Sequence, residues 1–214
     1  MAKVSKNLHN ERINYDKSTL HISQAKKNPF KQFDLWYHEA AEHGGFEANA
    51  MTLSTVDAKG VPSSRVVLLK EYSNEGLVFF TNYMSQKGEE MLKNDNVSLL
   101  FFYEQMQRQI RITGKVQKLS DQESEAYFNT RPIESQYGAM LSNQSHRINS
   151  KEELEQEFNR LLKSNKKPQR PKHWGGYIVK PSYFEFWQGR PNRMHDRISY
   201  AIQKDSWSID LLSP

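Results

Sequence analysis

Short apolar runs separated by tight turns fill most of residues 50–119 and return after residue 175. This alternation constrains the fold more than any other feature, because runs of this length and spacing predict β-strands joined by hairpin turns. The turns are marked by Asp57-Ala58-Lys59-Gly60 and Ser73-Asn74-Glu75-Gly76. The predicted strands fall in residues 50–56, 62–71, 77–81, 96–103, 109–119, 175–179, 183–187, 197–203 and 207–211.

Helical segments lie before and between these strands. Helix starts are predicted at Pro29, Ser85, Ser120, Pro132 and Ser150. Ser120 and Ser150 each open a capping-box pattern, and Gly44-Gly45 closes the first helix. The polar residues 1–28 lack a sustained period and predict an N-terminal arm, which leaves residues 29–214 as a single domain.

Short connections predict a largely antiparallel sheet, and about eight short strands that bury aromatic residues favour a closed or nearly closed barrel. The fold class is therefore mainly β with flanking helices, of the α+β type. The absence of cysteine excludes thiol catalysis and disulfide scaffolds. No apolar run approaches the roughly 18 residues of a membrane span, and no secretory leader is recognisable. We expect a cytoplasmic protein without a membrane partner.

The common nucleotide, zinc-protease and serine-hydrolase motifs are absent from the sequence. Its seven histidines are scattered, and the spacing of His38 and His43 suits a shared metal ion poorly. We expect no metal site.

Basic residues at strand ends and helix starts are the main candidates for chemistry. Arg65 and Lys70 bracket an apolar strand, either as the solvated ends of a core strand or as cations for two different anions. Alternation puts them on opposite faces unless a bend intervenes. Lys87 follows the cap Ser85, and a helix start of this kind suits a phosphate.

Two further groups stand out. Tyr127 and Arg131 share a helical face and precede Ser135, which indicates either a phosphate site or an ordinary surface helix corner. The segment from Trp187 to Arg197 is rich in Trp, Arg and His and is too long for a plain hairpin turn, which favours a functional loop.

In this order the motifs resemble the pyridoxamine 5'-phosphate oxidases, a family of flavin enzymes. The motifs that carry the resemblance are Arg65-x-Val67-Leu68-Leu69-Lys70, Phe80-Thr81-Asn82, Ser85-x-Lys87, Arg108-Gln109, Arg131-Pro132, Ser135-Gln136, Gln144-Ser145, Trp174-Gly175-Gly176, Glu185-Phe186-Trp187-Gln188-Gly189 and Arg193-x-His195-Asp196-Arg197. The resemblance implies an FMN-binding split β-barrel that works as a homodimer with flavin at the subunit interface.

The resemblance also implies site residues. FMN contacts are expected from Arg65, Val66, Val67, Leu68, Leu69, Lys70, Phe80, Thr81, Gln86, Lys87 and Gln109 of one subunit, with Gln144, Ser145, Trp187 and Arg197 contributed by the second. Substrate contacts are expected from Arg12, Ile13, Asn14, Tyr15, Lys70, Tyr127, Arg131, Ser135, Arg193, Met194 and His195. Arg193 and His195 are the expected catalytic residues, and residues 12–15 the expected lid.

The implied reaction is oxidation of pyridoxine or pyridoxamine 5'-phosphate to pyridoxal 5'-phosphate, with dioxygen reduced to hydrogen peroxide. Two phosphate dianions need two basic pockets, and the sequence offers Arg65 with Lys87 and Lys70 with Arg131. Many family members have Ser-Arg-Lys where this chain has Ser85-Gln86-Lys87. The missing positive charge predicts a lower affinity for the FMN phosphate.

Two alternatives remain open at this point. Another split-barrel flavoprotein, such as a flavin reductase, would share the flavin residues but would not need the Tyr127, Arg131 and Arg193 groups together. A nucleic-acid-binding module would use the basic linker of residues 163–173 and the aromatic strands. We expect no nucleic-acid partner.

Overall fold

The computed structural model describes residues 7–11, 13–44, 46–164, 166–204 and 206–214. Nine strands and five α-helices lie within these ranges. The strands are β1 (Ala50–Val56), β2 (Pro62–Leu68), β3 (Glu71–Ser73), β4 (Gly76–Asn82), β5 (Asn96–Tyr103), β6 (Arg108–Lys118), β7 (Trp174–Gln188), β8 (Asp196–Gln203) and β9 (Ser206–Leu211). The helices are α1 (Pro29–His43), α2 (Gln86–Lys93), α3 (Asp121–Thr130), α4 (Ile133–Leu141) and α5 (Lys151–Lys163).

The described strands form one sheet in the order β2-β1-β5-β6-β7-β4-β3, with β8 and β9 continuing from β7. All the pairings between these strands are antiparallel, as predicted. Strand β7 organises the sheet because its first half pairs with β4 and its second half with β8, while β6 runs along both halves.

The predicted strand of residues 62–71 is confirmed over Pro62–Leu68, but its predicted end is wrong because the chain changes partners at Leu69 and Lys70. The Leu69 N–H donates to the Asn49 carbonyl beside β1 (2.8 Å), and the Lys70 N–H donates to the Val78 carbonyl of β4 (2.8 Å). This two-residue bridge links the β1–β2 side of the sheet to β4 and curls the sheet towards a barrel. Strand β3 then begins at Glu71.

The two predicted strands of residues 175–179 and 183–187 are a single strand, β7, of 15 residues. A register shift between Thr113 and Gly114 of β6 takes up the extra residue, and a bulge of this kind bends a strand without ending it. At the bend the two backbones come so close that a Cβ on Gly114 would lie 2.2 Å from the Lys180 carbonyl oxygen.

Helix α1 closes the hydrophobic core. Burial alternates along β1, β5 and β6, as the predicted period requires. Phe33 of α1 packs against Phe101 with ring centres 5.2 Å apart, and Trp36 packs against Phe186 at 5.3 Å. Full burial of each aromatic side chain contributes about 1.5–3 kcal/mol, so these contacts fix α1 on the sheet.

The predicted helix starts are confirmed, with one difference in capping. Ser120 and Glu123 form the predicted capping box of α3. Ser150 accepts from the Glu153 N–H but donates its hydroxyl to Glu152, so α5 begins with a simple serine cap. No helix in the described ranges has the length and apolar character needed to cross a membrane.

Candidate active site

A cavity of about 1120 Å³ opens beside β2 and β4, bounded by the start of α2, the corner between α3 and α4, and the segment after α4. Most of the predicted FMN residues line it: Arg65, Val66, Val67, Leu68, Lys70, Phe80, Thr81, Gln86, Lys87, Gln144 and Ser145. The predicted phosphate residues Tyr127, Arg131 and Ser135 line the same cavity. Leu69 does not, because its side chain is buried in the core.

Lys87 is the centre of one basic group in this cavity, the Lys87 cluster (Arg65, Thr81, Ser85, Lys87, Glu90 and Gln144). The buried Lys87 ammonium donates to the Thr81 hydroxyl (3.1 Å), the Ser85 hydroxyl (3.1 Å) and the Gln144 side-chain oxygen (2.7 Å). Burial and the neighbouring Arg65 charge lower the pKa of Lys87 to about 8. The side chain is therefore largely charged at neutral pH and is held by neutral oxygens, which leaves its charge available to an anion.

Arg65 forms an ion pair with the Glu90 carboxylate, a residue that the sequence did not predict at the site. The Arg65 guanidinium donates to the Ser63 hydroxyl (2.6 Å) and to Glu90 (3.3 Å). Burial raises the pKa of Glu90, but hydrogen bonds from Thr55, Ser63 and Gln86 and the Arg65 charge together lower it to about 2. Glu90 is thus an anion at any ordinary pH, and the charges of Arg65, Lys87 and Glu90 sum to +1.

Gln86 is occupied by this same carboxylate. Its amide nitrogen donates to Glu90 at 2.9 Å. The residue lines the cavity, as predicted, yet it adds no positive charge there. No sequence signal identified Glu90, because a glutamate in a polar helix is ordinarily solvated.

Aromatic rings surround the second basic group, the Arg131 cluster (Phe80, Tyr127, Arg131, Ser135 and Trp174). Phe80 stacks on Tyr127 with ring centres 3.8 Å apart and on Trp174 at 5.6 Å. The Arg131 guanidinium carbon lies 4.5 Å above the Trp174 ring. Trp174 belongs to a motif of the sequence analysis, but no site role was predicted for it.

One guanidinium nitrogen of Arg131 is buried without a hydrogen-bond partner among the described residues. Burial lowers the pKa of Arg131, although an arginine stays charged at physiological pH. A buried, charged donor left unpaired costs about 1–3 kcal/mol or more. An anion in the cavity would satisfy this nitrogen, so the donor set fits a phosphate.

Strict strand alternation would place the Arg65 and Lys70 side chains on opposite faces of the sheet. The bend at Leu69 and Lys70 interrupts this alternation, so both side chains line the same cavity. The two basic groups are thus parts of a continuous cavity. Within it, the hydrogen bonds of Lys87 and the ring contacts of Arg131 involve different residues. The assignment of one phosphate to each group stays a prediction.

Other predicted residues gather at the opposite end of β7, in the Trp187 cluster (Tyr15, Gln109, Trp187, His195 and Arg197). Gln109, Trp187 and Arg197 are register partners on β6, β7 and β8. Trp187 lies 4.6 Å from His195 and 5.8 Å from Tyr15 between ring centres. None of the five lines the large cavity.

Arg197 is held in this cluster by the buried Glu185. Its guanidinium donates to Glu185 at 2.9 Å, and Arg111 donates to the same carboxylate at 3.1 Å. The arginine is about a quarter exposed, so it can meet a ligand or a second chain.

The loop between β7 and β8 carries the predicted catalytic residues. Arg193 has a positive φ of 63°, which is strained for a long side chain and is a feature that clusters at functional sites. Its neighbour Asn192, at 57°, is a residue type that tolerates this region. Arg193 and Met194 are exposed. His195 accepts a hydrogen bond at Nδ1 from the Arg190 N–H (3.1 Å), and burial together with Arg193 and Arg197 lowers its pKa.

The predicted division between subunits changes at two points. Gln144 and Ser145 were expected from the second subunit, but they line the cavity of the chain that carries Lys87. Gln109 was expected from the same subunit as Arg65, but it lies outside the cavity that Arg65 lines and pairs with Trp187. Trp187 and Arg197 lie outside the cavity of their own chain, and their contribution to the partner stays a prediction.

The predicted lid is described in part. Arg12 lies outside the described residues. Ile13 is exposed, the Asn14 carbonyl accepts from Gln107, and Tyr15 packs in the Trp187 cluster.

Comparison with known proteins assigns a family to this arrangement. Residues 39–164 match the family described as "Pyridoxamine 5'-phosphate oxidase", and residues 174–214 match "Pyridoxine 5'-phosphate oxidase C-terminal dimerisation region". The chain is 49% identical over 205 residues to the pyridoxine/pyridoxamine 5'-phosphate oxidase of Bordetella pertussis, covering 95% of this chain and 97% of that protein. It is 46% identical over 213 residues to the enzyme of the same name from Flavobacterium psychrophilum, covering 98% and 100%.

Solved structures show the same fold. PhzG from Burkholderia lata 383, in complex with tetrahydrophenazine-1-carboxylic acid, superposes with a TM-score of 0.86 at 26% identity and covers 90% of this chain and 95% of its own. A pyridoxamine 5'-phosphate oxidase-related, FMN binding protein from Nostoc punctiforme superposes with a TM-score of 0.70 at 14% identity, covering 89% and 100%. These likenesses confirm the predicted split β-barrel.

Proposed function

We propose that this chain, which belongs to the pyridoxamine 5'-phosphate oxidase family, oxidises pyridoxine or pyridoxamine 5'-phosphate to pyridoxal 5'-phosphate with FMN as cofactor and dioxygen as electron acceptor. The observation that carries the substrate assignment is the Arg131 cluster. Its buried guanidinium nitrogen lacks a partner among the described residues, and a phosphate ester supplies the acceptor that this nitrogen needs.

The Lys87 cluster would hold the FMN phosphate. Lys87 and Arg65 supply two positive charges, and Thr81 and Gln144 already bond the ammonium. Each charge-assisted hydrogen bond to the phosphate contributes roughly 1.5–3 kcal/mol. When bound, FMN would supply a two-electron acceptor for the hydride lost from the C4′ carbon of the substrate, with dioxygen as the final electron acceptor.

Arg131, Tyr127, Ser135 and Lys70 would hold the substrate phosphate. This group is remote from the reacting carbon, so its binding energy serves to orient the substrate. The pairing of Arg131 with the Trp174 ring presets the guanidinium before the substrate arrives. The unphosphorylated vitamin would lack this anchor.

His195 would orient the polar substituents of the substrate and would not act as a base. Its lowered pKa keeps the ring neutral at pH 7. Because Nδ1 accepts from the Arg190 N–H, the proton of the neutral ring resides on Nε2, which is then a hydrogen-bond donor. Arg193, on its strained loop, would cover the exposed face of the pyridine ring and contribute positive charge.

A homodimer would bring the two regions together. The match to a dimerisation region covers residues 174–214, which include Trp187, Arg193, His195 and Arg197. These residues lie outside the large cavity of their own chain. We infer that they complete the cavity of the partner, so that each dimer has two sites at its interface.

The rival functions lack a comparable observation. A flavin reductase or simple flavin carrier would use the Lys87 cluster but would leave the buried Arg131 donor without a purpose. A nucleic-acid role would rest on exposed basic residues of the linker, which are ordinary for a surface.

The experiment that tests the proposal is peroxide release by the purified protein loaded with FMN. Pyridoxine 5'-phosphate should give stoichiometric peroxide and pyridoxal 5'-phosphate, while unphosphorylated pyridoxine at the same concentration should give less than about one hundredth of that rate, because the two or three phosphate hydrogen bonds are lost. Equal rates for the two compounds, or no peroxide from either, would contradict it.

A further inference from the structure

Gln107 has a left-handed backbone conformation that is uncommon for its residue type. It follows the short 3₁₀ turn Glu104–Met106 between β5 and β6, with φ 54° and ψ 42°. This left-handed region is favourable for glycine or asparagine and strained for a longer side chain. The side chain is nonetheless present and buried, with only 5% of the residue exposed.

The Gln107 side chain binds the backbone of the N-terminal arm. Its oxygen accepts from the Asp16 N–H (2.9 Å) and the Lys17 N–H (3.1 Å), and its nitrogen donates to the Asn14 carbonyl (3.0 Å). Three of the four hydrogen-bonding positions of a carboxamide are therefore spent on one short segment. We call residues 14–20 the strap.

The Gln107 backbone binds the other side of the Trp187 cluster. Its carbonyl accepts from the Gly189 N–H at 2.7 Å, at the start of the loop that leads to His195. The buried Gln188 side chain donates to the same carbonyl at 3.3 Å. One residue thus anchors both the strap that carries Tyr15 and the loop that carries His195.

Tyr15 and His195 meet because of this double anchorage. The Tyr15 ring lies 5.9 Å from the His195 ring and 5.8 Å from Trp187. Tyr15 and Gln107 pack closely on Gly189. If this glycine carried a Cβ, the added atom would lie 2.9 Å from Cγ of Tyr15 and 3.1 Å from Cβ of Gln107. A small displacement of the strap would therefore remove Tyr15 from the imidazole.

We propose that Gln107 is a positioning residue: it docks the strap so that Tyr15 stays packed on His195 and Trp187, and it acts on turnover through Tyr15. The catalytic consequence rests on the proposed function. The docking itself does not, because it concerns contacts within the chain.

The strap has a second anchor that does not involve Gln107. The Leu20 N–H donates to the Asp196 carboxylate at 2.9 Å, and Arg190 donates to the Ser18 carbonyl at 3.4 Å. Leu20 itself is buried. Loss of the Gln107 contacts should therefore free residues 14–17 while Leu20 stays in place, which supplies an internal control.

Gln107→Asn is the variant of choice. Asparagine favours the left-handed backbone of this turn, so the fold should be retained, but its side chain is one methylene too short to reach the strap. Gln107→Glu is the matched control, because its carboxylate can accept from Asp16 and Lys17 but cannot donate to the Asn14 carbonyl.

Amide hydrogen exchange of the full-length protein tests the docking. In Gln107→Asn, the Asp16 and Lys17 amides should exchange at least about tenfold faster than in the wild type, with Gln107→Glu between the two. The Leu20 amide should not change. Unchanged exchange at Asp16 and Lys17, or equal acceleration at Leu20, would overturn the proposal.

A double-mutant cycle with Tyr15→Ala tests the action on turnover. Gln107→Asn should lower kcat/KM for pyridoxine 5'-phosphate about tenfold with FMN affinity unchanged, and it should have no further effect in the Tyr15→Ala background. Additive effects, or an unchanged kcat/KM in the single variant, would overturn the positioning role. A wild-type protein without oxidase activity would instead overturn the proposed function, and the exchange measurement would still decide the docking.

Discussion

The large cavity and the Trp187 cluster are both rich in predicted site residues, but they are held in different ways. In the cavity, the charged groups are bonded to side chains of adjoining elements, as Lys87 is to Gln144. The Trp187 cluster depends on the strap and on Glu185. Trp174 at the cavity and Trp187 in the cluster mark opposite ends of β7, separated by roughly 40 Å of strand contour. Under the proposed function, a single chain would carry two incomplete halves, one that holds the phosphates and one that covers the reacting ring of the partner's site.

The largest expected effect comes from breaking the phosphate half at Arg131. Arg131→Met keeps an apolar stem over Trp174 but removes the buried donor, so KM for pyridoxine 5'-phosphate should rise about 100-fold or more. Steady-state peroxide assays measure this value. FMN affinity, titrated by fluorescence quenching, should stay within about twofold because the Lys87 cluster is untouched; an unchanged KM would move the substrate phosphate elsewhere.

Lys87→Met separates cofactor binding from stability. The Kd for FMN should rise about 30-fold as one charged contact is lost. The unfolding free energy should not fall, since a buried ammonium with a lowered pKa opposes folding wherever it is charged. Flavin titration and urea denaturation measure the two quantities. Tight FMN binding by this variant would exclude Lys87 from the phosphate site.

The lowered pKa of Lys87 predicts a pH dependence of FMN affinity. In the free protein Lys87 loses its proton as pH rises through about 8, and the bound phosphate favours the protonated form. Affinity should therefore change little between about pH 6.5 and 7.5, where the phosphate is mainly dianionic, and weaken by about tenfold between pH 7.5 and 9.5. In Lys87→Arg the dependence should disappear, because arginine stays charged; a slope that persists there would assign it to another group.

The smallest effect is expected from restoring a charge at Gln86. Gln86→Arg adds one positive charge to Arg65, Lys87 and Glu90 and so raises their summed charge from +1 to +2. FMN should therefore bind about three- to tenfold more tightly at low salt. The gain should shrink in high salt. Gln86→Met is the control, since it removes the Glu90 hydrogen bond without adding charge. No gain for arginine would mean that position 86 does not face the phosphate.

Local patterns predicted most elements of the fold. The alternation of β1, β5 and β6 and the caps at Ser85 and Ser120 follow from short-range rules. The sequence did not predict that β7 is continuous, because Pro181 is a residue typical of turns and the bulge opposite it, at Gly114, is visible only in the structure. The bridge at Leu69 and Lys70 depends on partners far along the chain.

The candidate site was predicted through its cations and aromatic residues. Arg65, Lys87 and Arg131 were identified because each stands beside a strand end or helix start. Glu90 and Gln107 were missed, because their roles depend on contacts with residues distant in sequence. Gln107 also lacks the glycine or asparagine that usually marks a left-handed turn.

The central claim is that the two halves of each site come from different chains. Co-expression of Arg131→Met and Arg193→Ala chains with different affinity tags tests it directly when pyridoxine 5'-phosphate is kept below the wild-type KM, since each homodimer should then be nearly inactive. Random pairing makes about half of the dimers mixed, and one of the two sites in each mixed dimer has neither substitution. The account predicts about a quarter of wild-type peroxide production for the mixture, confined to the doubly tagged dimer. Activity no greater than the average of the two variants would contradict it.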